Sequence, residues 1–309
     1  MAVDGTRLDA EFAGLDALEA QEALPGSSIL RRAWAALWPK VAAIAIVVAI
    51  WQGVVWAELK PPWVLPGPGP VFSELRRLVV EGSFWTSIGV TMRRAAVGYA
   101  LAVAIGVVIG VLVARFALLR TAVGSLITGL QTMPSIAWFP LAILLFGLKE
   151  SAILFVVVLG AAPSIANGLL TGVDSVPPAL VRCGRVLGAG SVDMYRFVIL
   201  PASLPAFIGG LKQGWAFAWR SLMAGEILVI IARRPALGAN LQFARELSDA
   251  RGLLAYMVVI LVVGILVDSV FGRAERAVRQ RWGLVDAAEI GEPGPRRTRR
   301  PQPASATGG

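Results

Sequence analysis

The sequence predicts an all-α integral membrane protein with about six transmembrane helices. Hydrophobic residues make up 56% of the 309 positions and charged residues only 16%, which is less charge than a soluble domain of this length carries. Six stretches also meet or approach the roughly 20 apolar residues that a helix needs to cross a bilayer. Composition and the lengths of the apolar runs therefore indicate the same fold class.

Polar and basic segments separate the six predicted spans. The approximate bounds of the spans are 39–57, 95–114, 121–148, 151–172, 205–231 and 253–271. They divide the chain into an N-terminal segment (1–38), a first transmembrane helix (39–57), an interfacial segment (58–94), a transmembrane core (95–272) and a basic tail (273–309). The end of the tail lacks apolar residues that could join a core, so we expect it to be disordered.

The distribution of basic residues predicts the orientation of the chain in the membrane. If the N-terminus lies inside, the inner segments hold 17 Lys and Arg residues and the outer segments hold 10. Because inner segments carry the excess of positive charge, both termini are predicted to be cytoplasmic. The interfacial segment 58–94 would then lie on the outer face of a bacterial inner membrane.

The composition also argues against several classes of function. The chain has no histidine and one cysteine, Cys183, so it lacks the commonest zinc ligand and general base and cannot form an intramolecular disulfide. Its net charge is +9, but the arginines fall between apolar runs rather than along one basic face with interleaved aromatics. We therefore predict no catalytic residue, no metal and no nucleic-acid partner. The basic tail could contact anionic membrane lipid, or it could be solvated without a specific partner.

Proline and glycine residues mark two kinds of position within the spans. Pro134 and Pro140 predict a kink or break in the third span near MPSIAWFP, which either lines a pathway or is a bent packing helix. Small residues let transmembrane helices approach closely. The glycines that we expect to pack in this way are Gly98, Gly106 and Gly110 in the second span and Gly160, Gly168 and Gly172 around the fourth.

The segment between the fourth and fifth spans has the pattern of a helix, a glycine turn and a second helix. Pro177 and Pro178 can start the first helix, and the sequence GAG at 188–190 stops it. Ser191 is a good N-cap for a second helix, which we expect to end at Pro201. Both helices are amphipathic, so the hairpin could lie on the membrane surface or dock into a groove of another protein.

The same segment resembles a known motif. Gly188, followed after nine residues by Val198, Ile199, Leu200 and Pro201, resembles the end of the EAA loop of permease subunits of binding-protein-dependent ABC importers. The resemblance extends over about residues 64–283 and favours the branch that imports nitrate, taurine and aliphatic sulfonates. The stretches that carry it are LPGPGPVFSEL, TMRRAAVGYALAVAIGVVIG, QTMPSIAWFPLAILLFGLKESAILF, LPASLPAFIGGLKQGWAFAWRSLMAGE and ERAVRQRW.

The resemblance implies a cytoplasmic coupling-helix loop and a set of partners. The expected partners are a cytoplasmic ABC ATPase dimer, an external solute-binding protein and a second copy of this permease. The chain would bind no cofactor, because ATP would be used by the partner subunit. Arg182 stands where the family has the glutamate that begins the loop motif. The residues assigned to the coupling loop are Arg182, Cys183, Gly184, Gly188, Val198, Leu200 and Pro201.

Charged and polar residues inside the spans are candidates for the substrate pathway. Lys212 lies close enough to the cytoplasmic end to snorkel, whereas Arg220 lies deeper. Arg220 could attract an anion, or it could be a structural residue held by Glu226 or by backbone carbonyls. The remaining candidates are Gln131, Ser135, Asn167 and Ser221.

These observations predict a transport permease rather than an enzyme. Its expected substrate is a small anion, with an aliphatic sulfonate first and taurine or nitrate next. The alternative is an ATP-independent anion channel or a secondary transporter. Transporters of that second kind often show inverted repeats, and the two halves of this sequence show no convincing similarity.

Overall fold

The computed structural model describes residues 29–281, and every regular element in that range is helical. The predictions for residues before Ile29 and for the end of the basic tail lie outside the described residues. The helices are α1 (Ile29–Trp56), α2 (Pro68–Val80), α3 (Gly82–Arg115), α4 (Ala117–Thr132), α5 (Phe139–Phe146), α6 (Glu150–Asp174), α7 (Pro178–Val186), α8 (Leu200–Leu228), α9 (Leu237–Glu246) and α10 (Ala250–Arg281).

The predicted fold class is confirmed by the lengths of these helices. Within the described range, five helices are long and apolar enough to cross a membrane, and α4 with α5 supplies a sixth span if the bent pair counts as one. The bend between the two is 104°. It falls at Met133 and Pro134, and a short 3₁₀ turn, Ser135–Trp138, precedes α5. The predicted break in the third span is therefore present.

The second span begins earlier than the sequence predicts. Residues 82–94, which we placed at the end of the interfacial segment 58–94, are the first turns of α3. The adjacent pair Arg93 and Arg94 limited the predicted span, because charges inside a membrane are costly. Arg94 is nevertheless buried within α3, while Arg93 is exposed.

The chain divides into two units, one ending at Val71 and the other beginning at Phe72. The first unit holds α1, whose span Leu37–Trp56 has exposed apolar side chains that suit a lipid environment. The indole Nε1 of Trp51 donates a hydrogen bond to the carbonyl oxygen of Pro66 at 3.1 Å. That bond ties the loop after α1 back to the helix.

Helix α6 is the centre of the second unit and packs between α3 and α8. Its side chains Ile153, Val156 and Ile165 are fully buried. The helices meet at glycines where a methyl group would collide with a neighbour. A Cβ built on Gly168 would lie 2.5 Å from the Cα of Gly210, and one built on Gly106 would lie 2.8 Å from the carbonyl oxygen of Ala162.

All six glycines predicted to pack helices together do so. The remaining contacts are Gly98 with Val157, Gly110 with Leu169, Gly160 with Ser221 and Gly172 with Ser203. Helices α3 and α8 therefore both lie against α6 at close distance, because the glycines leave no side chain of their own at these contacts.

We predict that Gly168→Ala lowers the apparent melting temperature of the detergent-purified chain. The added methyl group meets the backbone of α8, which cannot turn aside, and overpacking of this kind costs about 1–3 kcal/mol. Gly89→Ala is the matched control, because nothing lies within 4 Å of its Cβ position. That control should be neutral or stabilising, since alanine has a higher helix propensity than glycine. Equal melting temperatures for both variants would contradict the packing role of Gly168.

Candidate functional site

The coupling segment, defined here as residues 178–199, begins with the short amphipathic helix α7. Pro178 occupies the first helical position, where a missing N–H costs nothing. The helix ends at Val186, and two residues later Gly188 has a φ of 81°, in the left-handed region that favours glycine. Two hydrogen bonds close the turn: Ala189 N donates to the Gly184 carbonyl at 3.0 Å, and Gly188 N donates to that of Arg185 at 3.0 Å. This pattern is a Schellman motif.

The second half of the coupling segment runs into the next span without a break. It starts at Ser191, which we predicted as the N-cap but which is the first helical residue after Gly190, and it continues through a π-helical stretch, Met194–Ile199, directly into α8. The prediction that this helix ends at Pro201 was wrong. Pro201 is the second residue of α8, and near a helix start its missing N–H is tolerated.

Gly184 holds the two halves of the coupling segment together. A Cβ at Gly184 would lie 3.0 Å from Met194 Cε and 3.3 Å from Val198 Cγ2. Any larger residue would therefore push α7 away from the π-helical stretch. The close contact explains why Gly184 is buried while Arg182 and Cys183 beside it are exposed.

Large apolar side chains project from the coupling segment with nothing covering them within the described part of the chain. Val186 and Leu187 are 87% and 80% exposed, and Val192 and Phe197 are also exposed. A small helix with bare apolar residues at its end is suited to insertion into a groove of another protein. The same side chains would suit lipid only if they lay against the bilayer.

Arg220 lines a groove of about 600 Å³ on the surface of α8 and α10. Its Nε donates to the carbonyl oxygen of Ala216 at 3.1 Å, and its guanidinium lies 4.7 Å from the centre of the Phe217 ring. Glu226, the partner that we considered from the sequence, bonds to other groups. Asp268 lines the same groove, and sequence reasoning did not single it out. Arg220 is therefore exposed and has no carboxylate bound to it within residues 29–281.

The other polar pathway candidates are not brought to one place. Gln131 donates from Nε2 to Ser164 Oγ at 3.2 Å, which links α4 to α6. Ser135 begins the 3₁₀ turn at the break in the third span, and Asn167 is exposed on α6. Ser221 is fully buried, and its hydroxyl would be 2.6 Å from a Cβ at Gly160. Ser221 thus fills the contact between α6 and α8.

A buried ion network at the opposite membrane end from the coupling segment joins four helices. The carboxylate of Glu226 is inaccessible to solvent and accepts hydrogen bonds from Thr91 Oγ1 at 2.9 Å and from Gly238 N at 3.0 Å. Arg94 Nη1 lies 3.1 Å from the same carboxylate. Leu237 N in turn donates to Thr91 Oγ1 at 3.0 Å. The network fixes the start of α9 to α3 and α8.

The ion network reaches the surface through Glu150. The second Arg94 nitrogen, Nη2, lies 3.4 Å from Glu150, and Arg234 Nη1 lies 2.5 Å from the same carboxylate. Lys212, which we expected to snorkel, instead lies 3.7 Å from Glu275 of α10. Sequence reasoning missed the network because Arg94 and Glu226 are 132 positions apart. The available signals were Glu226 within the predicted fifth span and Arg94 directly before the predicted second span.

Comparison with known proteins agrees with this architecture. A family model for the inner membrane component of binding-protein-dependent transport systems matches residues 102–280, which is more than half of the chain. A probable ABC transporter permease protein of Brucella melitensis is 31% identical over 217 residues, covering 70% of this chain and 87% of that protein.

Two further relatives have names that state a substrate. The taurine transport system permease protein of Escherichia coli is 27% identical over 233 residues, covering 74% of this chain and 84% of that protein. A putative aliphatic sulfonates transport permease protein of Bacillus subtilis is 28% identical over 232 residues, covering 75% and 83%. Among solved structures, a chain of the MetNI methionine ABC transporter is 21% identical with a TM-score of 0.54, covering 64% of this chain and 98% of that one. That match shows a shared fold.

The helical membrane core and these matches together define a multi-span membrane permease. The chain belongs to the family of binding-protein-dependent transport system inner membrane components. Its relatives are named as transport permeases of ABC transporters and not as enzymes. The predicted family and its nitrate, taurine and sulfonate branch are thereby confirmed.

We predict that Arg94→Met destabilises the purified chain strongly. The change leaves the Glu226 carboxylate buried without its cation, and breaking a buried pair in this way costs on the order of 3–5 kcal/mol. Arg93→Met is the matched control, because Arg93 is the neighbouring exposed arginine of the same helix. Thermal melting in detergent should show a large loss for Arg94→Met and little change for the control.

A double variant separates charge from packing in this network. Adding Glu226→Gln to Arg94→Met removes the unpaired charge while keeping an oxygen for Gly238 N, so the double variant should melt above Arg94→Met alone. A double variant that melts no higher than the single one would show that the arginine acts by its bulk.

Proposed function

We propose that this chain forms half of the translocation pathway of an ATP-driven importer for a small anion. An aliphatic sulfonate is the first candidate, and taurine or nitrate follow. The observation that carries the proposal is the coupling segment: an exposed amphipathic helix with a Schellman turn, fused to a span, in a chain of this family. The names of the taurine and sulfonate relatives support the substrate class.

The proposed assembly has a second copy of this permease, two cytoplasmic ATPase subunits and an external solute-binding protein. The chain contains no G-x-x-x-x-G-K-[ST] motif and no Gly-Lys pair, so ATP hydrolysis falls to the partner. The excess of basic residues in the inner segments supports cytoplasmic termini. In that orientation the coupling segment faces the ATPase subunits and the ion network faces the solute-binding protein.

Force from the ATPase would pass from α7 into the membrane through two joints. The first joint is Gly184, which packs α7 onto the stretch that leads into α8. The second is the contact of Gly168 with Gly210, which binds α8 to α6 at backbone distance. Because the contact of Gly168 with Gly210 is between backbones, movement passed from α7 to α8 would carry α6 with it.

Arg182 gives this coupling segment an unusual charge. It is exposed on α7 at the position where the family has a glutamate, and Arg185 on the same helix is also exposed. The groove that receives α7 should therefore present carboxylates or backbone carbonyls near Arg182. A partner ATPase adapted to this permease would carry the matching acidic residue.

Arg220 is the residue that we propose to contact the transported anion. Its guanidinium is exposed on a spanning helix. An unpaired charge inside a membrane is energetically costly, so its presence there indicates a functional site. The planar donor fork of arginine suits the oxygens of a sulfonate or a nitrate. Ser221, which we also considered, supports the helix contact beside Arg220, and Gln131, Ser135 and Asn167 stay further candidates.

Affinity purification of the tagged chain from its source membranes tests the importer proposal. We expect an ATPase subunit to co-purify, and we expect substrate uptake by cells to stop when ATP is depleted. Uptake that survives ATP depletion, with no ATPase in the preparation, would instead favour an ATP-independent channel or a secondary transporter.

The same preparations test the turn at Gly188. Gly188→Val should insert into the membrane normally but lose uptake, because a β-branched residue at a φ of 81° is strained and would displace α7. Gly190→Val is the matched comparison, since Gly190 has an ordinary φ of −67°. Normal uptake by Gly188→Val would contradict the role of the coupling segment.

We predict that Arg220→Gln reduces uptake while the ATPase still co-purifies. Loss of a charged hydrogen-bond donor to the anion corresponds to about a tenfold or greater reduction. Arg251→Gln removes an exposed arginine near the start of α10 and serves as the control for net charge. If the ATPase no longer co-purifies with Arg220→Gln, or if this variant melts at a lower temperature than the native chain, Arg220 is a structural residue.

A further inference from the structure

A second pocket lies on the coupling-segment side of the molecule, where two spanning helices end. It has a volume of about 490 Å³ and is lined by Arg115, Ser191, Val192, Tyr195, Arg196 and Leu200. Arg115 is the last residue of α3, and Leu200 is the first residue of α8. The pocket therefore sits where the chain leaves the apolar part of the membrane.

The polar groups that line this pocket are free to bind a ligand. Within residues 29–281, neither Arg115 nor Arg196 forms an ion pair, and the hydroxyls of Ser191 and Tyr195 have no hydrogen-bond partner. Each guanidinium group lies over the ring of the phenylalanine that follows it, at 6.0 Å from the ring centre for Arg115 and 5.4 Å for Arg196.

Nearby carboxylates do not neutralise the two arginines. Asp193 lies against Gly190, with its Oδ2 3.7 Å from the Cβ position there, and is not among the residues that line the pocket. Asp174, at the end of α6, is paired with Arg120. Two positive charges and two hydroxyls thus face one cavity with no internal counter-ion, an arrangement that suits a tetrahedral oxyanion such as a phosphate group.

The apolar part of the lining indicates where that phosphate comes from. Val192 and Leu200 line the pocket together with the arginines, and Phe116 and Phe197 beside them are 51% and 66% exposed. A free phosphate gains nothing from apolar walls, whereas a phospholipid brings glycerol and acyl carbons next to its phosphate. Basic pockets between transmembrane helices are known sites for such headgroups.

We propose that this pocket binds the phosphate of an anionic phospholipid. The headgroup bridges Arg115 at the end of α3 and Arg196 in the π-helical stretch. It thereby connects the coupling segment to α3. This proposal does not rest on the proposed function, because it concerns a lipid contact of the folded chain. It also differs from the lipid contact considered for the basic tail.

Native mass spectrometry of the full chain in detergent tests the site. The ligands are dioctanoyl phosphatidylglycerol, dioctanoyl phosphatidylcholine with the same acyl chains, and inorganic phosphate. The variant Arg115→Gln/Arg196→Gln is compared with Arg273→Gln/Arg276→Gln, which removes two exposed arginines from α10 at the same membrane end. We expect the pocket variant to bind phosphatidylglycerol about tenfold or more weakly and the control to change less than about twofold.

A second variant keeps every charge and guards against loss of folding. Ser191→Ala/Tyr195→Phe removes only the two hydroxyls, so it should weaken phosphatidylglycerol binding by a few-fold and leave the melting temperature unchanged. Attraction of lipid by net charge alone would leave this variant unaffected, and that result would overturn the proposal. Equal losses for the pocket pair and the α10 pair would also overturn it.

The binding experiment with inorganic phosphate distinguishes a lipid headgroup from a soluble phosphate ion. Inorganic phosphate should not bind at concentrations where phosphatidylglycerol saturates the chain. If it binds as tightly as the lipid and the pocket variant abolishes that binding, the pocket is a site for a soluble oxyanion and the lipid proposal is wrong. Equal binding of phosphatidylcholine and phosphatidylglycerol would likewise contradict a site selective for anionic headgroups.

Discussion

The rest of the structure depends on the close approach of α6 to its two neighbours. Gly168 and Gly210 bring the backbones of α6 and α8 into contact, and Gly106 does the same for α6 and α3. Lipid offers helices little hydrophobic reason to associate, so packing at this distance is a main source of cohesion inside a membrane. Because backbone atoms cannot rotate out of the way, the three helices form one closely packed unit.

Functional elements are attached at both ends of this three-helix unit. At one end the coupling segment is continuous with α8, and Gly184 packs its two halves against each other. At the other end Glu226 draws together α3, α8 and the start of α9 through hydrogen bonds from three groups: Thr91, Arg94 and Gly238. A buried carboxylate so fully paired fixes geometry more than it adds stability. A displacement applied to α7 thus has a rigid route to the far membrane end.

The broken third span and the exposed arginine on α8 are features of another kind than these helix contacts. The bend of 104° between α4 and α5 exposes irregular backbone at membrane depth, which is tolerated only beside protein or a cavity. Arg220 is an exposed charge on a spanning helix and has no carboxylate partner among residues 29–281. Both features are consistent with the proposed translocation pathway.

The sequence by itself determined the helical class, the break at Pro134, the glycine contacts and the turn at Gly188. Each of these follows from local chemistry: apolar length, a missing N–H or a missing Cβ. Tertiary structure alone decided that α3 begins at Gly82, that Pro201 continues a helix and that Arg94 pairs with Glu226. It also separated Ser221, buried in a helix contact, from the exposed Arg220 beside it. These outcomes depend on partners far away in the chain, which a local pattern does not contain.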